Sequence, residues 1–182
     1  MLGMVFTELL EMIEERYSFD VADRVIVRSG VGGAYTSVGN YDDRELFAIV
    51  QALSDEIAVP VPELLRAYGQ HLAGRFVSLF PDYFDAHSDA IAFFRVLEAH
   101  VHTEVRKLYE TAKPPLFVCC DLPDGGTELT YLSHRPLAMF ALGLVESCLA
   151  RYGDRLHVAE MEDLSGGAGT CVRFVLLPKD DG

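Results

Sequence analysis

Residues 114–135 read PPLFVCCDLPDGGTELTYLSHR, and across this stretch the spacing of apolar side chains shortens from a helical period of about 3.6 to the period of 2 that marks strands. Pro114 and Pro115 introduce the β-prone run Leu116 to Cys120. Asp124-Gly125-Gly126 is a hairpin turn signal, and Glu128 to Arg135 alternates as the returning strand. Working outward toward the C-terminus, Pro136 at a start and Gly153 past an end bracket a helix. Arg155 to Glu160 and Thr170 to Leu177 then close as a second hairpin around Ser165-Gly166-Gly167-Ala168-Gly169.

Upstream of the stretch, the pattern is helical throughout. Leu2, Val5, Phe6, Leu9, Leu10 and Ile13 recur at helical spacing, and Phe19, Val21, Ala22 and Val25 suggest a short second helix before the glycine-rich turn Ser29 to Gly33. Asp42 and Glu45 have the spacing of a capping box and open a helix from Asp43 to about Ile57. Pro60 and Pro62 force a break, and Pro62 suits the first turn of a helix that runs through Leu64, Leu72 and Phe76 to about Phe80, where Pro81 stops it. Ser88 can cap a further helix reaching Tyr109. The fold class is therefore α+β. One domain spans residues 1–182, with a helical part over about 1–62 packed on a helix-plus-sheet part over about 63–182 whose sheet is antiparallel.

A chain of 182 residues matches one domain. Counting Gly in place of Tyr puts the apolar share at roughly 54%, slightly above the usual level, which leaves room for a lined pocket besides a self-filling core. Fifteen Lys and Arg against 28 Asp and Glu give a formal charge of -13, which argues against nucleic acid and anionic membrane surfaces as partners. Met1 to Tyr17 carries four glutamates and lacks the basic start of a signal peptide, and no run approaches the roughly 20 apolar residues of a membrane span. A soluble, cytoplasmic protein without membrane insertion is expected. Cys119, Cys120, Cys148 and Cys171 have neither CxxC nor zinc-ribbon spacing, and are read as reduced, buried thiols, except that Cys119 and Cys120, adjacent on a strand, face opposite ways, one buried and one exposed.

The histidines carry more information. None of the six forms a metal pair such as HExxH. On a wheel at about 100° per residue, Phe94, Leu97, Val101, Val105 and Leu108 share one apolar sector; His102 sits at its margin, whereas His100 points away. His102 is then either a core-edge imidazole bonded to a carbonyl or a single ligand. One histidine cannot hold zinc, but it can hold haem, because the porphyrin supplies the equatorial nitrogens. Haem brings two propionates, which need an anion clamp. Tyr131, Ser133 and Arg135 alternate along one strand and so share a face; they read either as such a clamp or as an ordinary half-exposed strand.

Three features together resemble the haem nitric oxide/oxygen binding (H-NOX) family, bacterial relatives of the haem domain of soluble guanylate cyclase. They are the opening Met1-Leu2-Gly3-Met4-Val5-Phe6, the segment His102 to Tyr109 (HTEVRKLY, similar to HxxVxKLY), and Tyr131 to Arg135 (YLSHR, matching YxSxR). The resemblance implies haem b, ferrous protoporphyrin IX, held between the two parts of the chain. It assigns the axial ligand to His102, the propionate contacts to Tyr131, Ser133 and Arg135, and the proline that distorts the macrocycle to Pro115 rather than Pro114. Oxygen-binding members carry a distal Tyr on the helix after YxSxR. Here that position is Phe140, followed on its face by Leu144, with Val5, Leu9, Leu72 and Phe76 as the other expected lining residues.

The resemblance thus implies an NO sensor that also binds CO and forms no stable O₂ complex, Tyr68 and Tyr83 being the hydroxyls that could contradict it. It further implies that NO binding releases His102 and lets the macrocycle relax. The output would go to a histidine kinase, or to a diguanylate cyclase or phosphodiesterase, in another chain. The cysteine/histidine zinc site of some relatives is not implied, since only Cys171 matches it. An enzyme is not expected, because Ser133 and His134 are adjacent on a strand and form no catalytic pair. The rival reading is a haem-free module that binds an apolar ligand or partner helix in the same cavity.

Overall fold

The computed structural model describes residues 1–109, 112–123, 125–153 and 156–179. Among these, the helices are α1 (Met4–Arg16), α2 (Phe19–Ser29), α3 (Asp43–Ile57), α4 (Val61–Leu79), α5 (Pro81–Asp85), α6 (Ala90–Val96), α7 (Thr103–Leu108) and α8 (Ala138–Arg151), with a π-helical turn, Leu97–His102, between α6 and α7. Strands β1 (Leu116–Asp121), β2 (Thr127–Leu132), β3 (Leu156–Asp163) and β4 (Cys171–Pro178) form an antiparallel sheet in the order β1-β2-β4-β3. The expected α+β architecture is present. No described helix is long and apolar enough to cross a membrane.

Local chemistry explains most boundaries. Ser18 caps α2 through the Val21 amide, and Gly30 ends it at φ 70, a conformation glycine adopts without Cβ strain. Asp42 caps α3 as expected, but only half of the capping box forms: its carboxylate accepts from the Arg44 amide, while Glu45 turns to accept the Tyr35 hydroxyl at 2.7 Å. Asp89, not Ser88, caps α6 through the Ala92 amide, and the Ser88 hydroxyl donates to that same carboxylate. The helix expected over 88–109 is not one α-helix, because the π-helical turn interrupts it from Leu97 to His102. Within the expected turn and second hairpin, Asp124 and Arg155 lie outside the described residues, as does the Leu108 side chain on the apolar sector.

Two apolar clusters fill the interior. One joins α1 to α4 through Phe6, Leu9, Ile13, Leu46, Leu53 and Tyr68. The other packs Phe93 and Phe94 of α6 and Ala141, Val145 and Leu149 of α8 on the inward residues Phe117, Leu129, Tyr131, Val172, Phe174 and Leu176 of the sheet. Helix α8 serves both, since Met139, Phe140 and Leu144 pack against the first cluster. It reaches α4 because both helices carry glycine at the crossing: a Cβ on Gly69 would lie 2.1 Å from the Phe140 carbonyl oxygen, and one on Gly143 would lie 2.1 Å from that of Arg66.

Cys119 and Cys120, adjacent on β1, differ in exposure as expected, and Cys171 is less buried than expected. Cys148 is buried, Cys119 and Cys171 are half-buried, and Cys120 is exposed, because Cys119 and Cys120 alternate across β1.

Gly143→Ala is expected to destabilise the fold by about 1–3 kcal/mol, the usual cost of overpacking. Gly74→Ala on α4, where a Cβ meets nothing within 4 Å, should be neutral or stabilising by up to about 1 kcal/mol. Thermal unfolding of the two variants checks the pair, and equal melting shifts would contradict the crossing.

Candidate functional site

A cavity of about 380 Å³ opens between α1, α4 and α8 on one side and α6, the π-helical turn, α7 and the β1–β2 hairpin on the other. That volume lies within the usual range of small-molecule and cofactor sites. Most of its wall is apolar. Val5, Leu72, Phe76, Phe140 and Leu144 line the helical side, and Phe94, Leu97, Val101, Val105 and Phe117 line the other. Polar groups gather on the sheet side, where His102, Tyr131, Ser133 and Arg135 border the cavity together with Pro114 and Pro115.

His102 ends the π-helical turn, its side chain only 13% exposed. Its Nδ1 lies 3.0 Å from Oε2 of Glu98. An ionised carboxylate only accepts, so Nδ1 carries the proton and donates it to Glu98. Burial holds the imidazole pKa below its ordinary value against the opposing pull of Glu98, which keeps the ring neutral, the form that binds metals. The other Glu98 oxygen, Oε1, accepts from the Arg106 guanidinium. His100 is exposed, as the wheel predicts.

Tyr131, Ser133 and Arg135 border the same cavity by a route different from the expected one. Strand β2 stops at Leu132, so Ser133 and Arg135 lie in the turn that follows it. The Ser133 amide donates to the Thr170 carbonyl at 2.8 Å, and its hydroxyl accepts from the Arg135 amide at 3.1 Å, a local turn that competes with strand continuation. Burial raises the Tyr131 pKa, opposed by a hydrogen bond with the Ser133 hydroxyl and by the Arg135 charge. Arg135 is largely buried; its Nε donates to Asp43 Oδ2 at 2.8 Å and its Nη1 to the Lys113 carbonyl at 2.9 Å. Asp43 stands in the first turn of α3, so this pair ties the helical layer to the turn after β2.

Leu9 does not line the cavity. It is fully buried in the α1–α4 core, on the side of α1 that faces its neighbouring helices rather than the opening. Of the two tyrosines that could supply a hydroxyl, Tyr68 is fully buried and donates to the Val5 carbonyl. Tyr83 borders the cavity from α5 and is 41% exposed. Cys148 also borders it, but burial pushes its thiol up to about 12, and Cys119 is raised to about 11. Burial thus favours the neutral thiol at both, and Cys119 does not border the cavity. Among the described residues, no group of three or more His, Cys, Asp or Glu gathers to hold a bare metal ion.

Two contributors escape sequence reasoning: Glu98 and Asp43. The first had a usable signal, since it precedes His102 by four residues and side chains at that spacing meet on a helix. The second is 92 residues from Arg135 and had none.

The residues present fit one macrocycle with carboxylate tails. A neutral imidazole, an apolar slot and a cluster of hydroxyl, hydroxyl and guanidinium groups line a single cavity. A family model described as Haem-NO-binding matches residues 2–160. No curated protein matches the chain. Among solved structures, the H-NOX protein from K. algicida in its Fe(II) unliganded form is 28% identical, with a TM-score of 0.89 and coverage of 100% of this chain and 98% of that one. The H-NOX from Shewanella woodyi, bound to IWP-051 in the Fe(II)CO state, is 33% identical at TM-score 0.82, covering 100% and 96%. An H-NOX protein from S. oneidensis in the Fe(II)NO state shares the fold at 23% identity and TM-score 0.88, covering 99% and 100%.

Arg135→Met is expected to lower stability by about 1–3 kcal/mol, below the loss for a fully buried pair because Asp43 keeps some solvent contact. Urea unfolding reads this directly, and an unchanged midpoint would show that the Asp43 pair contributes nothing.

Proposed function

The chain belongs to the haem-NO-binding family, a family of haem-based gas sensors, and from that premise we propose that it senses NO, also binds CO, and forms no stable complex with O₂. The observation that carries the selectivity is the wall facing His102 in the cavity. Phe140, Leu144, Val5, Leu72 and Phe76 supply no hydrogen-bond donor there, the Tyr68 hydroxyl is committed to the Val5 carbonyl, and Tyr83, the other tyrosine in question, borders the cavity from α5 at a solvent-exposed position. Bound dioxygen carries partial negative charge and needs such a donor; NO does not.

Haem b, when bound, supplies the iron that takes the gas. The remaining work falls to the chain. His102 would hold the iron through Nε2, because its Nδ1 proton is engaged by Glu98. Arg135, Ser133 and Tyr131 would hold the propionates, the guanidinium fork matching a carboxylate. Pro115, which borders the cavity, would bear on the macrocycle. Because His102 ends the π-helical turn and leads into α7, a change in how it is held would be passed to the helix that carries it. Residues 1–62 would then turn against the rest of the chain, with Arg135 and Asp43 at the joint. This is a two-state element biased by differential ligand binding. The output passes to a separate histidine kinase or cyclic-di-GMP enzyme.

Absorbance of the haem-reconstituted protein is the test. A strong haem band is expected, with ferrous NO and CO spectra and no lasting oxy spectrum in air. Absence of the band sinks the sensor reading and leaves the apolar-ligand module. A stable ferrous-oxy spectrum refutes the selectivity. His102→Ala should lose its five-coordinate ferrous spectrum unless imidazole is added.

A further inference from the structure

Glu98 is not part of the motif that matches the family, yet it makes the polar contact behind His102. We infer that Glu98 is the positioning residue of the axial histidine: its carboxylate accepts the Nδ1 proton, aims Nε2 into the cavity and strengthens it as a ligand, while Arg106 limits how far it does so. This rests on the haem reading above.

The geometry supports the three roles separately. The two carboxylate oxygens are divided, Oε2 at 3.0 Å from His102 Nδ1 and Oε1 on the Arg106 guanidinium. The Thr103 hydroxyl donates to the Glu98 backbone carbonyl at 3.0 Å, which anchors the turn that carries the acid. His102 and Glu98 are 13% and 29% exposed, whereas Arg106 is 42% exposed, so the acid is sheltered and its cation is only partly so.

A carboxylate that accepts from the far nitrogen of a metal-bound imidazole fixes the tautomer and raises the basicity of the near nitrogen. A neutral carbonyl does this less, since charge-assisted hydrogen bonds are roughly twice as strong. The Pro115 carbonyl is the other acceptor within reach of the ring. Glu98 therefore opposes release of His102, and Arg106, by drawing charge to the other oxygen, favours it.

The experiment is resonance Raman of the ferrous, unliganded holoprotein. Glu98→Gln and Glu98→Leu are expected to lower the iron–histidine stretching frequency, Leu more than Gln, and Arg106→Met to raise it. Haem with the parent frequency in all three variants overturns the assignment and leaves the Pro115 carbonyl as the partner. A second measurement does not depend on how those variants fold. In His102→Gly, imidazole should bind the haem about 10-fold or more tightly than 1-methylimidazole, which lacks the proton Glu98 accepts. The preference should collapse in His102→Gly/Glu98→Leu. Equal affinities in His102→Gly alone also overturn the inference. A parent protein without a haem band would instead refute the haem reading on which it stands.

Discussion

Where α4 and α8 cross, the two backbones touch, and the atoms that would block a side chain on Gly69 are the carbonyl of Phe140 and the amide of Leu144. These are also two of the α8 residues that line the cavity. Their reach into the space is thus set by how closely the helices approach, not by rotamer choice alone. The same contact lets α8 serve both apolar clusters, one face on the sheet and the other on the α1–α4 core. A wider crossing would separate the layers and enlarge the cavity together.

On the opposite side of the cavity the constraints are polar and come from distant parts of the chain. The π-helical turn delivers His102, Lys113 offers a carbonyl just before the two prolines, and Arg135 answers it from the turn after β2. Arg135 also holds Asp43, whose place in the first turn of α3 is favoured by the helix dipole. The guanidinium has an internal carboxylate partner, so an incoming carboxylate must share it. An acidic ligand bound at that end would therefore compete with Asp43 of α3, which is 92 residues from Arg135 in sequence.

How much of this was legible follows from which forces are local. Elements with a clear period were readable: the helices α1 to α4, the β1–β2 hairpin around Gly125-Gly126, and α8 ending before Gly153 at φ 63. His102 was separable from His100 because a single apolar sector suffices to orient a helix, and that sector survives the π-helical turn. What failed was finer. Strand period carried Ser133 and Arg135 onto β2, but a side chain-to-backbone turn at Ser133 outcompetes the ladder. Leu9 shares the apolar face of α1 with Val5, but the face is wider than the cavity, so period alone could not say which residue meets the core. The π-helical turn and the Asp43–Arg135 pair depend on tertiary packing and left no periodic trace.

The division of the cavity into a polar end and an apolar wall bears on selectivity through desolvation. In bulk water a bound ligand with partial charge is stabilised wherever it points, so a missing donor costs little. Behind Phe76, Phe140 and Leu144, water is displaced by side chains that cannot replace its hydrogen bonds, and an unpaired polar group there loses roughly 1–3 kcal/mol. That is about a factor of 5 to 150 in an equilibrium constant, enough to discriminate between two diatomic ligands of similar size by charge distribution alone. Under the proposed function the apolar wall would therefore take part in recognition, withholding a partner from a ligand that needs one and taking nothing from a ligand that does not.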